Sequence, residues 1–165
     1  MAQVTLGGNP ANTNGDLPAN GINLSGHTLT KSDLSKVALS DYAGKKLVLN
    51  IFPSVDTGVC AASVRHFNQD AASLENTMVL CISMDLPFAQ ARFCGAEGIE
   101  NVVMLSDFRS GEFSKATGTL LADSAFEGLN ARSVIVLNEE GNVTYSELVP
   151  EIGQEPNYEA ALAAL

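Results

Sequence analysis

The feature that most constrains the fold is an apolar run over residues 47–52, LVLNIF, which ends at Pro53. A short run of this kind is typical of a strand that is covered on both faces of a sheet. Proline lacks the backbone N–H that a sheet interior requires, so the strand must stop there. The sequence therefore predicts a buried central strand, followed by a loop over residues 54–58.

Apolar residues recur at helical spacing after this loop. The stripe consists of Cys60, Val64, Phe67, Ala71 and Leu74. It predicts a helix that carries Cys60 in its first turn. Residues 78–84 are again apolar, and a strand, a helix and a second strand in this order indicate a right-handed βαβ unit with parallel strands.

The rest of the chain continues to alternate strands and helices. Asp85 and Pro87 form a helix start signal, residues 88–94 fill that helix up to Cys94, and Gly95 and Gly98 are its stop signals. Further predicted elements are a hairpin or loose ribbon within residues 1–30, a strand at 102–105, a helix at 112–117, a hairpin of strands 134–137 and 143–149, and a terminal helix opened by Pro156. Together they predict an α/β, thioredoxin-like sandwich with a central mixed sheet flanked by helices and an N-terminal β-hairpin. One domain over residues 1–165 is expected.

Charge and cysteine content exclude several classes of function. Nine Lys and Arg residues stand against nineteen Asp and Glu, so the formal net charge of -10 disfavours nucleic acid and anionic membrane surfaces as partners. The N-terminus has no secretory pattern and no segment has the ~20 apolar residues that span a bilayer, so a cytoplasmic protein is expected. Three cysteines without a C-x-x-C pair predict no disulfide framework, no metal site and no organic cofactor.

The strongest candidate for chemistry is Cys60. At a helix N-terminus, unpaired backbone N–H groups and the helix dipole stabilise a thiolate. The hydroxyl of Thr57, three residues earlier, has two possible uses, which are to cap the helix or to orient a substrate oxygen beside the sulfur. Arg132 directly precedes the predicted strand that begins at residue 133 and is expected at the same sheet edge, where its permanent charge would hold the thiolate and polarise a substrate.

The other cysteines and the histidines are weaker candidates. Cys81 lies in an apolar strand without an activating charge and is expected to be inert. The pattern alone leaves Cys94 open, either as an inert residue at a helix end or as a partner of Cys60. His66 lies about 240° around the helix from Cys60, and His27 has no clear context, so both are interpreted as surface residues.

The residues from Pro53 to Cys60 match the pattern P-x-x-x-T-x-x-C and resemble the signature of peroxiredoxins. The likeness extends over nearly the whole chain. It is carried by VLNIFPSVDTGVCAASVRHFN, LCISMDLPFAQARFCGAEG, GLNARSVIV and EPNYEAAL, at residues 48–68, 80–98, 128–136 and 155–162. These segments resemble the bacterial thiol peroxidases, which are atypical two-cysteine peroxiredoxins.

The resemblance implies a peroxidatic role for Cys60, a resolving role for Cys94, and an active-site shell of Pro53, Thr57 and Arg132. It further implies reduction of hydrogen peroxide and alkyl hydroperoxides, a sulfenic acid on Cys60, an intramolecular Cys60–Cys94 disulfide, thioredoxin as reductant, and a homodimer. The chain departs from the family at two places. His27 stands where an aromatic residue is usual, and residues 123–126 lack the usual Gly-Pro.

Three alternative functions remain open at the level of sequence. A general dithiol oxidoreductase normally needs a C-x-x-C pair, which is missing. A cysteine hydrolase needs a histidine beside Cys60. A non-enzymatic redox-responsive binding protein would use a Cys60–Cys94 disulfide to switch a surface, and steady peroxide consumption with thioredoxin and its reductase would distinguish an enzyme from it.

Overall fold

The computed structural model describes all 165 residues, Met1–Leu165, and contains nine strands. In chain order these are β1 (Gln3–Leu6), β2 (Asn9–Asn12), β3 (Thr28–Thr30), β4 (Lys36–Ala38), β5 (Lys46–Ile51), β6 (Thr77–Ser83), β7 (Val103–Ser106), β8 (Ser133–Leu137) and β9 (Val143–Leu148). The helices are α1 (Gly58–Ala71), α2 (Pro87–Glu97), α3 (Glu112–Ala116) and α4 (Tyr158–Ala163), and one 3-10 turn spans Leu39–Tyr42. No helix has the length and apolar character that crossing a membrane requires.

Seven strands form one mixed sheet in the order β4-β3-β7-β6-β5-β8-β9. Strands β5, β6 and β7 run parallel, as the βαβ pattern predicts, while β8 is antiparallel to β5. In this register Ile51 pairs with Ser133. The start of β8 therefore lies beside the end of β5, at the sheet edge from which α1 departs.

The central strand β5 is covered on both faces, which confirms the interpretation of the apolar run. Val48 packs into a core cluster with residues of α1, α2 and α4, such as Phe67. Leu47 and Leu49, on the opposite face, pack into a second cluster that includes Phe113 of α3. Successive side chains of β5 point to opposite faces of the sheet, so this one strand packs against helices on both faces.

The predicted N-terminal hairpin is present as the antiparallel pair of β1 and β2, joined by a turn at Gly7 and Gly8. Both glycines have positive φ angles, 60° and 83°, which a residue with a side chain adopts only under strain. The hairpin is a separate two-stranded sheet and does not pair with the seven-stranded one. It contributes Val4 and Ala11 to a third, smaller core cluster that also contains Ile152.

The observed helix bounds differ from the predicted ones in all four helices: α3 ends at Ala116 rather than at residue 117, α4 begins at Tyr158 rather than at Pro156, and α1 and α2 differ at their C-termini. Helix α2 continues through Gly95 and ends at Glu97, because it is Gly98 that takes the left-handed conformation, with φ 67° and ψ 35°. Helix α1 ends at Ala71, so Leu74 packs on the core from the following turn rather than from the helical stripe. Strands β3 and β4 were not predicted, because strands of three residues carry too short a pattern to recognise.

Candidate active site

Cys60 is the third residue of α1 and its side chain is fully buried. Strand β5 ends at Ile51, shortly before the buried Pro53. The loop that follows leads to the start of α1 at the carboxyl edge of the sheet. No acceptor lies within bonding distance of the backbone N–H groups of Gly58, Val59 and Cys60, and Thr57 does not cap them. Three unpaired donors therefore lie in the first turn of the helix that carries the sulfur, at the positive end of the helix dipole.

The hydroxyl of Thr57 is directed at the sulfur and not at the helix backbone. Its Oγ1 atom lies 2.6 Å from Cys60 Sγ and 3.1 Å from the carbonyl oxygen of Ser54. A hydroxyl has one proton to donate. When Cys60 is ionised, the sulfur can only accept, so the hydroxyl donates to it. The Thr57 side chain does not cap the helix, which was one of the two uses considered for it.

Arg132 lies beside the same sulfur although 72 residues separate the two in the chain. Its Nη2 atom donates to Cys60 Sγ at 3.2 Å, and its Nε atom donates to the carbonyl oxygen of Ile152 at 2.8 Å. The guanidinium is only 1% exposed, and none of the ion pairs in the molecule includes it. A buried cation without a carboxylate is costly, and at this distance a negative charge on the Cys60 sulfur would compensate it.

A cavity of about 140 Å³ opens beside these groups. It is lined by Leu6, Thr57, Gly58, Val59, Phe126, Arg132, Ile152 and Gly153. Four of these are apolar side chains, while Thr57 and Arg132 supply the polar groups. Arg132 Nη1 has no hydrogen-bond partner and is therefore free to bind a substrate oxygen.

Asp85 anchors the loop that leads to Cys60. Its carboxylate accepts from Ser54 Oγ at 2.7 Å and from the backbone N–H of Val55 at 2.9 Å, and it also accepts from Ser83 Oγ at 2.6 Å. From local pattern Asp85 is recognisable only as part of a helix start. Its position directly after the parallel strand β6 could have identified it, because polar residues at that edge converge on the site.

Cys94 is on α2, half-buried, and its thiol is free. It packs against the core cluster that contains Cys60, but the two sulfurs are not bonded. Burial raises the pKa of the Cys94 thiol. Cys81 is fully buried in β6, where desolvation raises its pKa to about 12 despite a 3.7 Å contact from the Asn50 amide, so it is a neutral thiol.

Two ion pairs connect the segments that carry Cys60 and Cys94. Asp56, in the loop before α1, accepts from Arg92 of α2 at 3.0 Å. Arg65 of α1 binds Glu97 of α2 through two contacts of 2.9 Å. In the reduced protein, ion pairs therefore link α2 both to α1 and to the loop before α1.

The two histidines have partners elsewhere. His66 pairs with Asp70 at 3.2 Å and stacks on Tyr158, with ring centroids 3.6 Å apart. His27 pairs with Glu112 at 3.0 Å. Neither ring is hydrogen-bonded to Cys60, so the geometry offers no Cys-His pair for a hydrolase. Nowhere in the structure do three or more His, Cys, Asp or Glu side chains converge as a metal site requires.

Comparison with known proteins identifies the class of protein to which this fold and site correspond. The model of the Redoxin family matches residues 10–162, and the chain belongs to that family. It is 59% identical over 165 residues to a thiol peroxidase from Corynebacterium glutamicum, with 100% of this chain and 99% of the relative covered. The chain is accordingly an enzyme, a peroxidase of the peroxiredoxin type.

Solved structures support the same fold. A peroxiredoxin-like protein from Aquifex aeolicus superimposes with a TM-score of 0.90 at 36% identity, covering 99% of this chain and 96% of the other. A thiol peroxidase from Chromobacterium violaceum also gives 0.90, at 22% identity, with 98% and 93% covered. The predicted thioredoxin-like sandwich with an N-terminal hairpin is thereby confirmed.

Proposed function

We propose that Cys60 is the peroxidatic cysteine and that Thr57, Arg132 and Pro53 form its active-site shell. The observation that carries this proposal is the buried Arg132 guanidinium, which has no carboxylate partner and lies 3.2 Å from Cys60 Sγ. Thr57 adds a hydroxyl at 2.6 Å from the same sulfur. Pro53 lies just after the end of β5 at Ile51, and the loop that follows it leads to the start of α1.

In the first step the Cys60 thiolate attacks the terminal oxygen of a hydroperoxide. A sulfur–oxygen bond forms, the oxygen–oxygen bond breaks, and the alkoxide or hydroxide that leaves takes up a proton to become alcohol or water. Negative charge develops on the leaving oxygen. Arg132 Nη1 and the unpaired N–H groups at the start of α1 are the donors available to stabilise it.

In the second step Cys94 resolves the sulfenic acid on Cys60. The Cys94 thiolate attacks the Cys60 sulfur, a sulfur–sulfur bond forms, the sulfur–oxygen bond breaks, and the hydroxide that leaves takes up a proton from solvent to become water. A disulfide needs Cα atoms within about 7 Å, whereas Cys60 is fully buried in α1 and Cys94 lies on a different helix with its thiol free. We therefore propose that α1, α2 or both unwind locally during turnover, and that the exposed Asp56–Arg92 pair opens in this movement.

We propose thioredoxin as the reductant that returns the disulfide to two thiols by thiol–disulfide exchange. Cys94 lines an open groove of about 410 Å³, so its sulfur is approachable from the protein surface. A catalytic cycle through free thiols requires a compartment that reduces disulfides. This requirement supports a cytoplasmic location.

The proposed substrates are hydrogen peroxide and alkyl hydroperoxides. Hydrogen peroxide needs only the polar groups around Cys60. The cavity beside them offers the apolar side chains of Leu6, Val59, Phe126 and Ile152 for an organic group. We expect a lower KM for a hydroperoxide with an apolar group than for hydrogen peroxide.

We also propose that residues 1–165 act as one domain and associate as a homodimer. Leu86, the N-cap residue of α2, and Phe88, two residues later, are 50% and 65% exposed. Large apolar side chains exposed in one short segment favour burial against another protein surface. A second copy of the chain is the partner that we propose for them.

The experiment that tests the cysteine roles compares Cys94→Ser with Cys81→Ser as a matched control. With Cys94 replaced, we expect one oxidation of Cys60 per chain, a sulfenic acid that dimedone traps, and loss of steady turnover with thioredoxin and its reductase. Cys81→Ser should retain turnover, because Cys81 is a buried neutral thiol. Peptide mass mapping checks both, and a Cys60–Cys81 disulfide in the wild type would contradict the assignment.

The resolution step is expected to accelerate with pH. Because burial raises the pKa of Cys94, its thiol is mostly protonated near neutrality, and its thiolate fraction grows at most tenfold per pH unit below that pKa. Disulfide formation after one pulse of peroxide should therefore become faster from about pH 6 to about pH 8. The chain has no tryptophan, so rapid acid quench with mass spectrometry is the suitable measurement. A rate that stays constant over this range would disagree with this expectation.

A further inference from the structure

Glu151, in the loop between β9 and α4, is held by donors from two separate segments. Its Oε1 atom accepts from Thr5 Oγ1 at 3.0 Å and from the backbone N–H of Gly8 at 2.8 Å. Its Oε2 atom accepts from the backbone N–H of Gly153 at 2.7 Å. The bonds from Gly153 and Gly8 hold the pKa of this carboxyl below its usual range. Glu151 thus ties the N-terminal hairpin to its own loop as a carboxylate.

The next residue of that loop contacts Arg132. The backbone N–H of Ile152 donates to the Thr5 carbonyl oxygen at 2.8 Å, and the Ile152 carbonyl oxygen accepts from Arg132 Nε at 2.8 Å. The same guanidinium reaches Cys60 Sγ through Nη2 at 3.2 Å. Because a guanidinium is a rigid planar fork, the position of the Ile152 carbonyl sets the direction of Nη2.

The residues beside these contacts line the cavity next to Cys60. Leu6 follows Thr5, Gly153 follows Ile152, and all three of Leu6, Ile152 and Gly153 are part of the cavity wall. A shift of the hairpin relative to the loop would move this wall and the Arg132 guanidinium together. Catalytic groups that move by about 1 Å can lose up to about 100-fold in rate.

We propose that Glu151 is a positioning residue for the peroxidase reaction, because its carboxylate clamps the N-terminal hairpin to the loop at residues 151–153 and so aims Arg132 at Cys60. The inference rests on the role proposed above for Arg132. Glu151→Gln tests it with little change in size. The variant replaces one carboxylate oxygen by an amide nitrogen, which cannot accept a bond from Gly8 or Gly153.

Asp123→Asn is the matched control. Asp123 accepts from the backbone N–H of Asn12 at 2.7 Å and from its Nδ2 atom at 2.8 Å, so it anchors the same hairpin at its other strand. These bonds also hold the pKa of Asp123 below its usual range. None of its hydrogen bonds is to Ile152 or Arg132. The control therefore loosens the hairpin without disturbing the contact to the guanidinium.

The experiment measures kcat/KM for hydrogen peroxide, which has no organic group and reports on the reacting groups rather than on the apolar wall. Glu151→Gln and Asp123→Asn are each made in the wild type and in an Arg132→Lys background. We expect Glu151→Gln to lower kcat/KM at least about fivefold in the wild type and less than about twofold in the Arg132→Lys background. Asp123→Asn should change it less than about twofold in both.

A loss of equal size in both backgrounds, a loss under about twofold in the wild type, or an equal loss in Asp123→Asn would each overturn the inference. If Arg132→Lys itself has the full wild-type rate, the role proposed for Arg132 fails and the clamp fails with it. If Arg132→Lys is impaired and Glu151→Gln is not, only the clamp fails. Should Glu151→Gln not fold, Thr5→Val removes one donor to the carboxylate at constant shape and must show the same dependence on Arg132.

Discussion

Replacing Cys60 by serine is expected to lower hydroperoxide turnover by about 1,000-fold or more. The thiolate is the nucleophile, and a serine hydroxyl at neutral pH neither ionises nor attacks a peroxide oxygen at a comparable rate. The assay is peroxide consumption coupled to thioredoxin and its reductase. Serine fits the same buried position, so circular dichroism should show an unchanged fold.

Two controls make this result specific. Cys81→Ser replaces another fully buried cysteine, and it should leave turnover near the wild-type rate. The second control is a dimedone assay, in which wild type gives an adduct at Cys60 after peroxide treatment while Cys60→Ser gives none. Peroxide turnover that survives in Cys60→Ser would show that another group carries the chemistry, and the proposed mechanism would be wrong.

Replacing Arg132 by methionine is expected to lower kcat/KM for hydroperoxides by about 100- to 1,000-fold, which is the range for removing a preorganised donor from a transition state. The variant removes the contact of Nη2 to the Cys60 sulfur and the unpaired Nη1 donor together. Methionine has a similar length, and removing Arg132 leaves no carboxylate without its partner, since this guanidinium forms no ion pair with a carboxylate. The thermal midpoint should therefore not fall in step with activity.

Arg109→Met is the control for Arg132→Met. Arg109 is exposed, lies 5.6 Å from the Phe108 ring centroid and donates to the Leu34 carbonyl oxygen, away from the cavity. It should retain the wild-type rate. If Arg132→Met kept more than about a third of that rate, the guanidinium would have no part in the reaction. If it lost activity only because the protein unfolded, its thermal midpoint would fall as well.

Much of the fold follows from local patterns. The apolar run before Pro53, the helical stripe after it and the second apolar segment around Cys81 predict a parallel βαβ unit, which the structure contains. Strong periodicity over six or more residues is what makes these elements visible in the sequence. Strands β3 and β4 have three residues each, and β3 joins the sheet through the pairing of Thr30 with Ser106, which are distant in the chain.

In the candidate site, too, some residues can be predicted from the sequence and others cannot. Cys60 at a helix start and Thr57 three residues earlier belong to one continuous segment, so their proximity can be predicted from local spacing alone. Asp85 and Glu151 act through contacts to residues 30 and 146 positions away in the chain, at Val55 and Thr5. Such contacts leave no periodic pattern, so the role of these two residues at the site was not predicted from the sequence.

The sequence by itself determined the order of strands and helices and the placement of a cysteine at a helix N-terminus, because both depend on interactions within a few residues. Only the tertiary structure decided that Arg132 is buried without a carboxylate and that its Nε atom is held by the Ile152 carbonyl oxygen. The physical reason is the antiparallel pairing of β8 with β5, which closes a long loop to bring Arg132 to the sulfur. That closure depends on the packing of the whole sheet and its helices.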